Sequence, residues 1–293
     1  MKSFTDMKQI LIFLLLIAAG CSQRTHSEKQ IVTVTILPQK FFVEKIAGDL
    51  VEVNVLVPPG ASPELYSPMP SQMKELAGSL GWFRIGKMGF EESWINKIRQ
   101  STPTLKIFDT SVQADWIAGE TEQHGDHVHL HGIDPHIWVA PDEVKKIVTE
   151  TYKALLNLFP GKEEELTANY DLFLNEIEQL DAELKHKFDR LENRKFLIFH
   201  PALAYLARQY QLEQVSLEVE GKEPSPGHLR SLIDLARAEN IRVVFIQKES
   251  NAENARQLAR EIGGEVIQID PLSEQWDDQL RDLADKIVAA SAK

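Results

Sequence analysis

The sequence predicts an α/β protein built as two open lobes, each with a mainly parallel sheet, joined by one long rigid helix. Three observations point there. Short β-branched runs alternate with helical patterns on both sides of the chain's middle, the rhythm of a parallel sheet covered by helices. The middle carries apolar residues every three or four positions from Leu166 to Leu191, with no Gly or Pro between them, and that spacing makes one amphipathic helix. The chain has 293 residues, enough for two domains of roughly 100–200 residues each.

Taken in order, the chain opens on an address. Lys2 and Lys8 precede an apolar run over 10–17, then come Ala18, Ala19, Gly20 and Cys21. A basic start, a short apolar core and small residues form an export signal, and the run is too short to span a bilayer. Residues 1–20 are expected to be removed and the polar stretch 21–30 to act as a tether. The N-terminal lobe is assigned to 31–158. Its strands are expected at 31–37 and 51–57, around a helix with Phe41, Phe42, Lys45 and Ile46 that Gly48 stops. Weaker strands follow at 82–85 and 105–108, separated by a helix carrying Trp94, Ile95 and Ile98.

The linking helix is assigned to 159–193. Its apolar stripe runs through Leu166, Tyr170, Phe173, Ile177, Leu180, Leu184, Phe188 and Leu191, and those 26 positions span about 39 Å at 1.5 Å per residue. About three and a half heptads are near the minimum for a coiled coil, so the helix is expected to brace a monomer and not to pair two chains. The C-terminal lobe is assigned to 194–293, with strands at 196–199, 241–246 and 266–269. Helices are expected over 201–210, after Ser225-Pro226 as N-cap and first-turn proline, and after a Ser250/Glu253 capping box, the last ended by Gly263.

Composition limits the function. The 43% apolar and 26% charged residues are those of a globular protein. The excess of 44 acidic over 32 basic side chains, a net charge of −12, excludes nucleic acid as a partner and favours cations. A single cysteine excludes a disulfide framework. No His-Glu-x-x-His helix motif, Gly-x-Ser-x-Gly elbow or phosphate-binding glycine loop is present, so the chain is not expected to be an enzyme.

Metal chemistry has stronger support. His124, His127, His129 and His131 crowd one short segment, and neutral imidazoles suit zinc, copper and nickel; weak auxiliary metal capture is expected there. His136 lies between Pro135 and Pro141, just before a helix, and His200 ends the 196–199 strand. Glu64 follows the Pro58-Pro59-Gly60 turn after the second strand, and Asp270 follows the 266–269 strand. Carboxyl ends of parallel strands are where open α/β sheets place ligands. Two imidazoles and two carboxylates, two donors from each half, would satisfy a divalent metal.

Several stretches together make the pattern specific: residues 58–68 (Pro-Pro-Gly-Ala-Ser-Pro-Glu-Leu-Tyr-Ser-Pro), 134–138 (Asp-Pro-His-Ile-Trp), 200–205 (His-Pro-Ala-Leu-Ala-Tyr), Glu223-Pro224-Ser225 and 269–272 (Ile-Asp-Pro-Leu), with the histidine-rich loop before the second. In these, residues 31–293 resemble the zinc/manganese solute-binding lipoproteins of bacterial ABC transporters. The resemblance implies two lobes joined by a rigid helix, a metal in the cleft, and delivery to a membrane permease. It implies ligand roles for His136, His200 and Asp270, and lipid attachment at Cys21, on the outer face of a membrane. At the first ligand position the chain has Glu64 where zinc members usually carry histidine. Zn2+ is the expected cargo; harder oxygen donors keep Mn2+ or Fe2+ as the alternative. A secreted metallohydrolase, with Glu64 as a base, and a surface adhesin are the readings from other classes. Coordination needs neutral imidazoles, so affinity is expected to fall below about pH 6.5.

Overall fold

The fold is that of a computed structural model, which describes residues 29–118, 121–124, 127–130, 132–218, 224–249 and 253–292. The expected export signal, Cys21, His131 and Ser250 lie outside them. In the first lobe, β1 (Gln30–Val34), α1 (Leu37–Ala47), β2 (Val51–Val55), α2 (Pro70–Ala77), β3 (Gly81–Arg84), α3 (Gly89–Ser101) and β4 (Lys106–Asp109) alternate along the chain. The four strands form a wholly parallel sheet in the order β2-β1-β3-β4. An antiparallel hairpin, β5 (Thr121–His124) and β6 (His127–Leu130), then leaves the lobe. A short helical turn (Ile137–Val139), α4 (Pro141–Leu158) and α5 (Glu163–Phe188) lead to the second lobe.

That lobe contains β7 (Lys195–Ile198), α6 (Ala204–Tyr210), β8 (Glu213–Ser216), α7 (Pro226–Ala238), β9 (Val243–Gln247), α8 (Glu253–Glu261), β10 (Glu265–Ile269) and α9 (Trp276–Ser291). Its sheet, also parallel, has the order β10-β9-β7-β8. Counted from its own first strand, each sheet therefore runs second-first-third-fourth. The order reverses beside β1 and beside β7, and the crevice beyond the carboxyl ends at such a point is where open α/β sheets bind ligands.

The period of two along the second sheet divides its side chains between two cores. Phe196 and Ile198 of β7, with Val243 and Phe245 of β9, join one continuous core that also contains the first lobe, α5 and α9. Leu197, Phe199, Val244 and Ile246 face the other way, onto Leu232 and Ala236 of α7 and Ala255, Leu258 and Ala259 of α8. The long helix buries Leu166, Phe173, Ile177, Leu180, Leu184 and Phe188 and packs on α1, α4 and α9. Hydrophobic burial thus runs through both lobes and the helix that joins them.

Several boundaries differ from those expected, each for a local reason. The first strand stops at Val34, because Pro38 opens α1 and the Gln39 side-chain oxygen accepts the N–H groups of Thr35 and Ile36 at 3.0 and 3.3 Å. The long helix has the expected 26 residues but sits three positions earlier, over Glu163–Phe188. Glu163, Glu164 and Glu165 in its first turn and Lys185 and Lys187 in its last complement the helix dipole, and Leu191 packs on the core from beyond its end. Gly48 (φ +53°) and Gly263 (φ +64°) end or follow their helices in the left-handed half of backbone space. The short edge strand β8, α2 and the C-terminal α9 were not anticipated. Among the described residues no helix is long and apolar enough to cross a membrane.

Candidate metal centre

Three of the four expected ligands meet in the crevice between the lobes. Glu64 reaches it on the loop after β2, whose base is held by the Val57 N–H donating to the Thr35 carbonyl at 3.0 Å. His136 arrives on the segment preceding the 137–139 turn. His200 stands at the carboxyl end of β7, where Gln247 at the end of β9 donates its side-chain amide to the His200 carbonyl at 2.7 Å. One donor atom from each of Glu64, His136 and His200 lies within 4.8 Å of the other two. The imidazole centroids are 5.2 Å apart, and His136 is 5% exposed.

The geometry has the dimensions of a metal shell. Donors about 2.0–2.2 Å from one tetrahedral ion stand roughly 3.3–3.6 Å apart. Here the two Glu64 carboxylate oxygens reach one histidine each: Oε1 is 3.4 Å from His136 Nε2, and Oε2 is 3.4 Å from His200 Nε2. Both imidazoles aim Nε2 at the crevice because Nδ1 is held behind. Asp134 Oδ1 holds His136 Nδ1 at 2.8 Å and also accepts the His136 backbone N–H at 2.8 Å. Glu218 Oε2 holds His200 Nδ1 at 2.8 Å. A carboxylate behind a ligating histidine fixes its tautomer and orientation and strengthens it as a ligand.

Charge follows from this arrangement. Burial alone would lower the pKa of His200, but its hydrogen bonds to Glu218 and Glu64, with the charges of both, push it up to about 10. Burial disfavours ionised Glu64, yet the His200 hydrogen bond and the charges of His136 and His200 hold its carboxyl below the ordinary range. Glu249, half-buried at the rim, is pushed up chiefly by burial. The crevice opens into a cavity of about 220 Å³ with Leu65, Trp138, Phe199 and Leu272 as apolar walls. Two nitrogens and a carboxylate, with apolar groups lining one side and acidic groups the other, suit a divalent transition metal.

Asp270 is not in this cluster. Its carboxylate is paired with the Lys248 ammonium, and it lines an adjoining cavity with Lys248 and Glu249; the following residues, Pro271 and Leu272, do reach the metal crevice. In the histidine-rich segment the hairpin register sets His124 opposite His127 and His129 opposite Glu122; His131 lies outside the described residues. The two orienting carboxylates escaped the sequence reading. Asp134 had a signal in its place two residues before His136. Glu218 had none, since β8, which leads to it, is too short and too polar to be recognised.

Three comparisons bear on this geometry. The family model described as zinc-uptake complex component A, periplasmic, matches residues 32–290. The chain is 25% identical over 281 residues to the zinc-binding lipoprotein AdcA of Streptococcus pneumoniae, covering 93% of this chain and 56% of that protein. It therefore spans little more than half the length of such streptococcal relatives. To the high-affinity zinc uptake system protein ZnuA of Bacillus subtilis it is 26% identical over 268 residues, covering 87% and 83% of the two chains. Among solved structures, a zinc-bound deletion mutant of ZnuA superposes with a TM-score of 0.83 and 38% identity over 90% of this chain and 98% of that one. The laminin-binding protein of Streptococcus agalactiae, described as both adhesin and metal transporter, shares the fold at 20% identity with a TM-score of 0.79, over 90% of this chain and 100% of that one.

Proposed function

Because the chain belongs to the zinc-uptake complex component A family, we propose that it is the extracytoplasmic substrate-binding component of an ABC transporter, capturing Zn2+ in the interlobe crevice and delivering it to a membrane permease. The observation that carries this is the Glu64–His136–His200 cluster, with donor atoms within 4.8 Å and spaced for one ion. Glu64, His136 and His200 are the proposed ligands. Asp270 is the proposed fourth, recruited when the cation in the crevice competes with Lys248 for its carboxylate. No step of bond making is assigned to the site; its donors hold an ion, and the chain is a carrier, not an enzyme.

The further parts of the reading rest on the sequence. Residues 1–20 serve as the export signal, and Cys21 carries the lipid that anchors a tether over 21–30 to a membrane facing the periplasm or exterior. The 31–158 and 194–293 lobes are joined through 159–193 in a monomer. His124, His127, His129 and His131 gather metal weakly as an auxiliary capture segment. Elemental analysis of purified protein beside Glu64→Ala, His136→Ala, His200→Ala and Asp270→Ala tests the site: about one tightly held zinc in the parent and none in either histidine variant is expected. Metal retained in both histidine variants would remove the basis for the assignment.

One observation favours a second cargo. Glu64 brings a hard oxygen donor into contact distance of both imidazoles, which shifts preference toward Mn2+ or Fe2+. Competition titration of the demetallated protein separates the readings, with zinc expected to displace both.

A further inference from the structure

Tyr205 has no part in the ligand set, yet its side chain sits where the two halves of the centre are joined. It lies on α6, five residues after His200, and is fully buried. Its hydroxyl donates to the Asp134 carbonyl at 2.7 Å and accepts the Ile117 N–H at 3.0 Å. Asp134 in turn donates its own N–H to the Ile117 carbonyl at 3.0 Å, so one phenol closes both chain segments at the base of the hairpin. The carboxylate of the same Asp134 grips the His136 N–H and Nδ1, each at 2.8 Å.

The opposite end of this ligand segment is also held from the second lobe. Trp138 Nε1 donates to the Pro271 carbonyl at 2.9 Å, and Trp276 Nε1 donates to the Trp138 carbonyl at 2.6 Å. His136 therefore follows the first lobe in sequence but takes its position from second-lobe groups on both sides. Burial pushes the Tyr205 phenol up, so it remains a donor throughout the working pH range. Arg208 lies over its ring at 5.0 Å and pairs with Glu143 of α4 at 2.9 Å, while the hydroxyl bonds are made without it.

We infer that Tyr205 is a positioning residue for the metal centre: its hydroxyl fixes Asp134, which orients His136, and so sets the separation of His136 from His200 across the two lobes. The inference rests on the proposed metal site. Partners bonded directly to a ligating histidine typically change metal affinity 10–100-fold, and Tyr205 acts through one such partner, Asp134.

The test compares full-length protein with Tyr205→Phe, which removes one oxygen and keeps the ring. Two readouts are used: the zinc dissociation constant by chelator competition, and the visible absorption of the Co2+-substituted protein, which responds to ligand angles. Tyr205→Phe is expected to weaken zinc about tenfold, the low end of that range, and to change the Co2+ bands. Arg208→Gln, which disturbs the ring's packing but not its hydroxyl, is expected to lower thermal stability with affinity and spectrum unchanged. If Tyr205→Phe folds only with metal, the rate at which chelator strips zinc from the loaded protein replaces the equilibrium measurement, and faster loss is expected. Affinity within twofold of the parent and an unchanged Co2+ spectrum would overturn the role. His136→Ala, run alongside, separates the two failures: zinc lost there but unchanged in Tyr205→Phe removes the positioning role alone, whereas zinc retained in His136→Ala removes the site and the role together.

Discussion

Glu218 and Glu64 together hold the pKa of His200 up to about 10, so a Zn2+ ion bound as proposed has to displace a proton from it. The reference histidine pKa predicts that affinity falls only below about pH 6.5. With His200 held up at about 10, Zn2+ bound as proposed has a proton to displace across the whole physiological range, and affinity should drop about tenfold for each unit the pH falls from this group alone. Calorimetric titration at pH 7 in buffers of different ionisation enthalpy should report about one proton released per zinc; none released would contradict the assignment. The sign for stability is opposite. A raised folded pKa contributes stability that is fully present below about 6.5 and is lost as pH rises toward 10, so the demetallated protein should melt higher at pH 6 than at pH 9 through this group. Glu218→Ala removes the orienting acceptor and should weaken zinc about 10–100-fold, measured by the same chelator competition.

At the level of elements, the linking helix serves as a brace through one aromatic contact above all. Phe173 meets Phe41 and Phe42 of α1 at centroid distances of 5.7 and 6.1 Å, and Trp276 of α9 meets Phe42 at 5.3 Å. Three elements from distant parts of the chain thus share one knot, and Phe173, Phe41 and Phe42 do not line the metal crevice. Phe173→Ala should cost about 3–5 kcal/mol in denaturant unfolding, with zinc affinity of the folded protein unchanged; a matching loss of affinity would mean that the helix also sets the site. The hairpin is expected to behave independently. Replacing His124, His127, His129 and His131 by serine should remove weakly bound zinc equivalents and leave the tight one, as counted by dialysis against graded free zinc.

Across the whole molecule, the lobes are tied on both sides of the crevice. Tyr205 to Asp134 closes one side, Trp138 to Pro271 and Trp276 to Trp138 close the other, and Lys40 reaches Glu274 at 2.6 Å nearby. The same hydrophobic core runs beneath both sheets. A wide hinge motion would break the two buried indole bonds, each leaving unsatisfied groups at about 1–3 kcal/mol, together with the part-buried Tyr205 bond. Solution scattering should therefore give the same radius of gyration with and without zinc; a contraction of the kind expected for two closing jaws would contradict this. Binding should appear as stability, since a ligand at about 100 times its Kd adds about 2.7 kcal/mol to the folded state.

Much of this was legible locally. Alternating β-branched runs and the 3.6-residue stripe are properties of neighbouring residues, and they indicated two parallel sheets and a 26-residue helix to within a few positions. Glu64, His136 and His200 could be singled out because strand ends and proline-bounded loops are readable one segment at a time. What lies behind those donors could not. Glu218 depends on an edge strand with almost no periodic signal, Asp270 turned to Lys248 through a partner 22 residues away, and Tyr205 acts across a separation of 71 residues. Pattern along the chain decided which groups are able to bind a cation; only the packing of the two lobes decided which of them share one ion's distance, because that proximity is made by long-range contacts that no local spacing records.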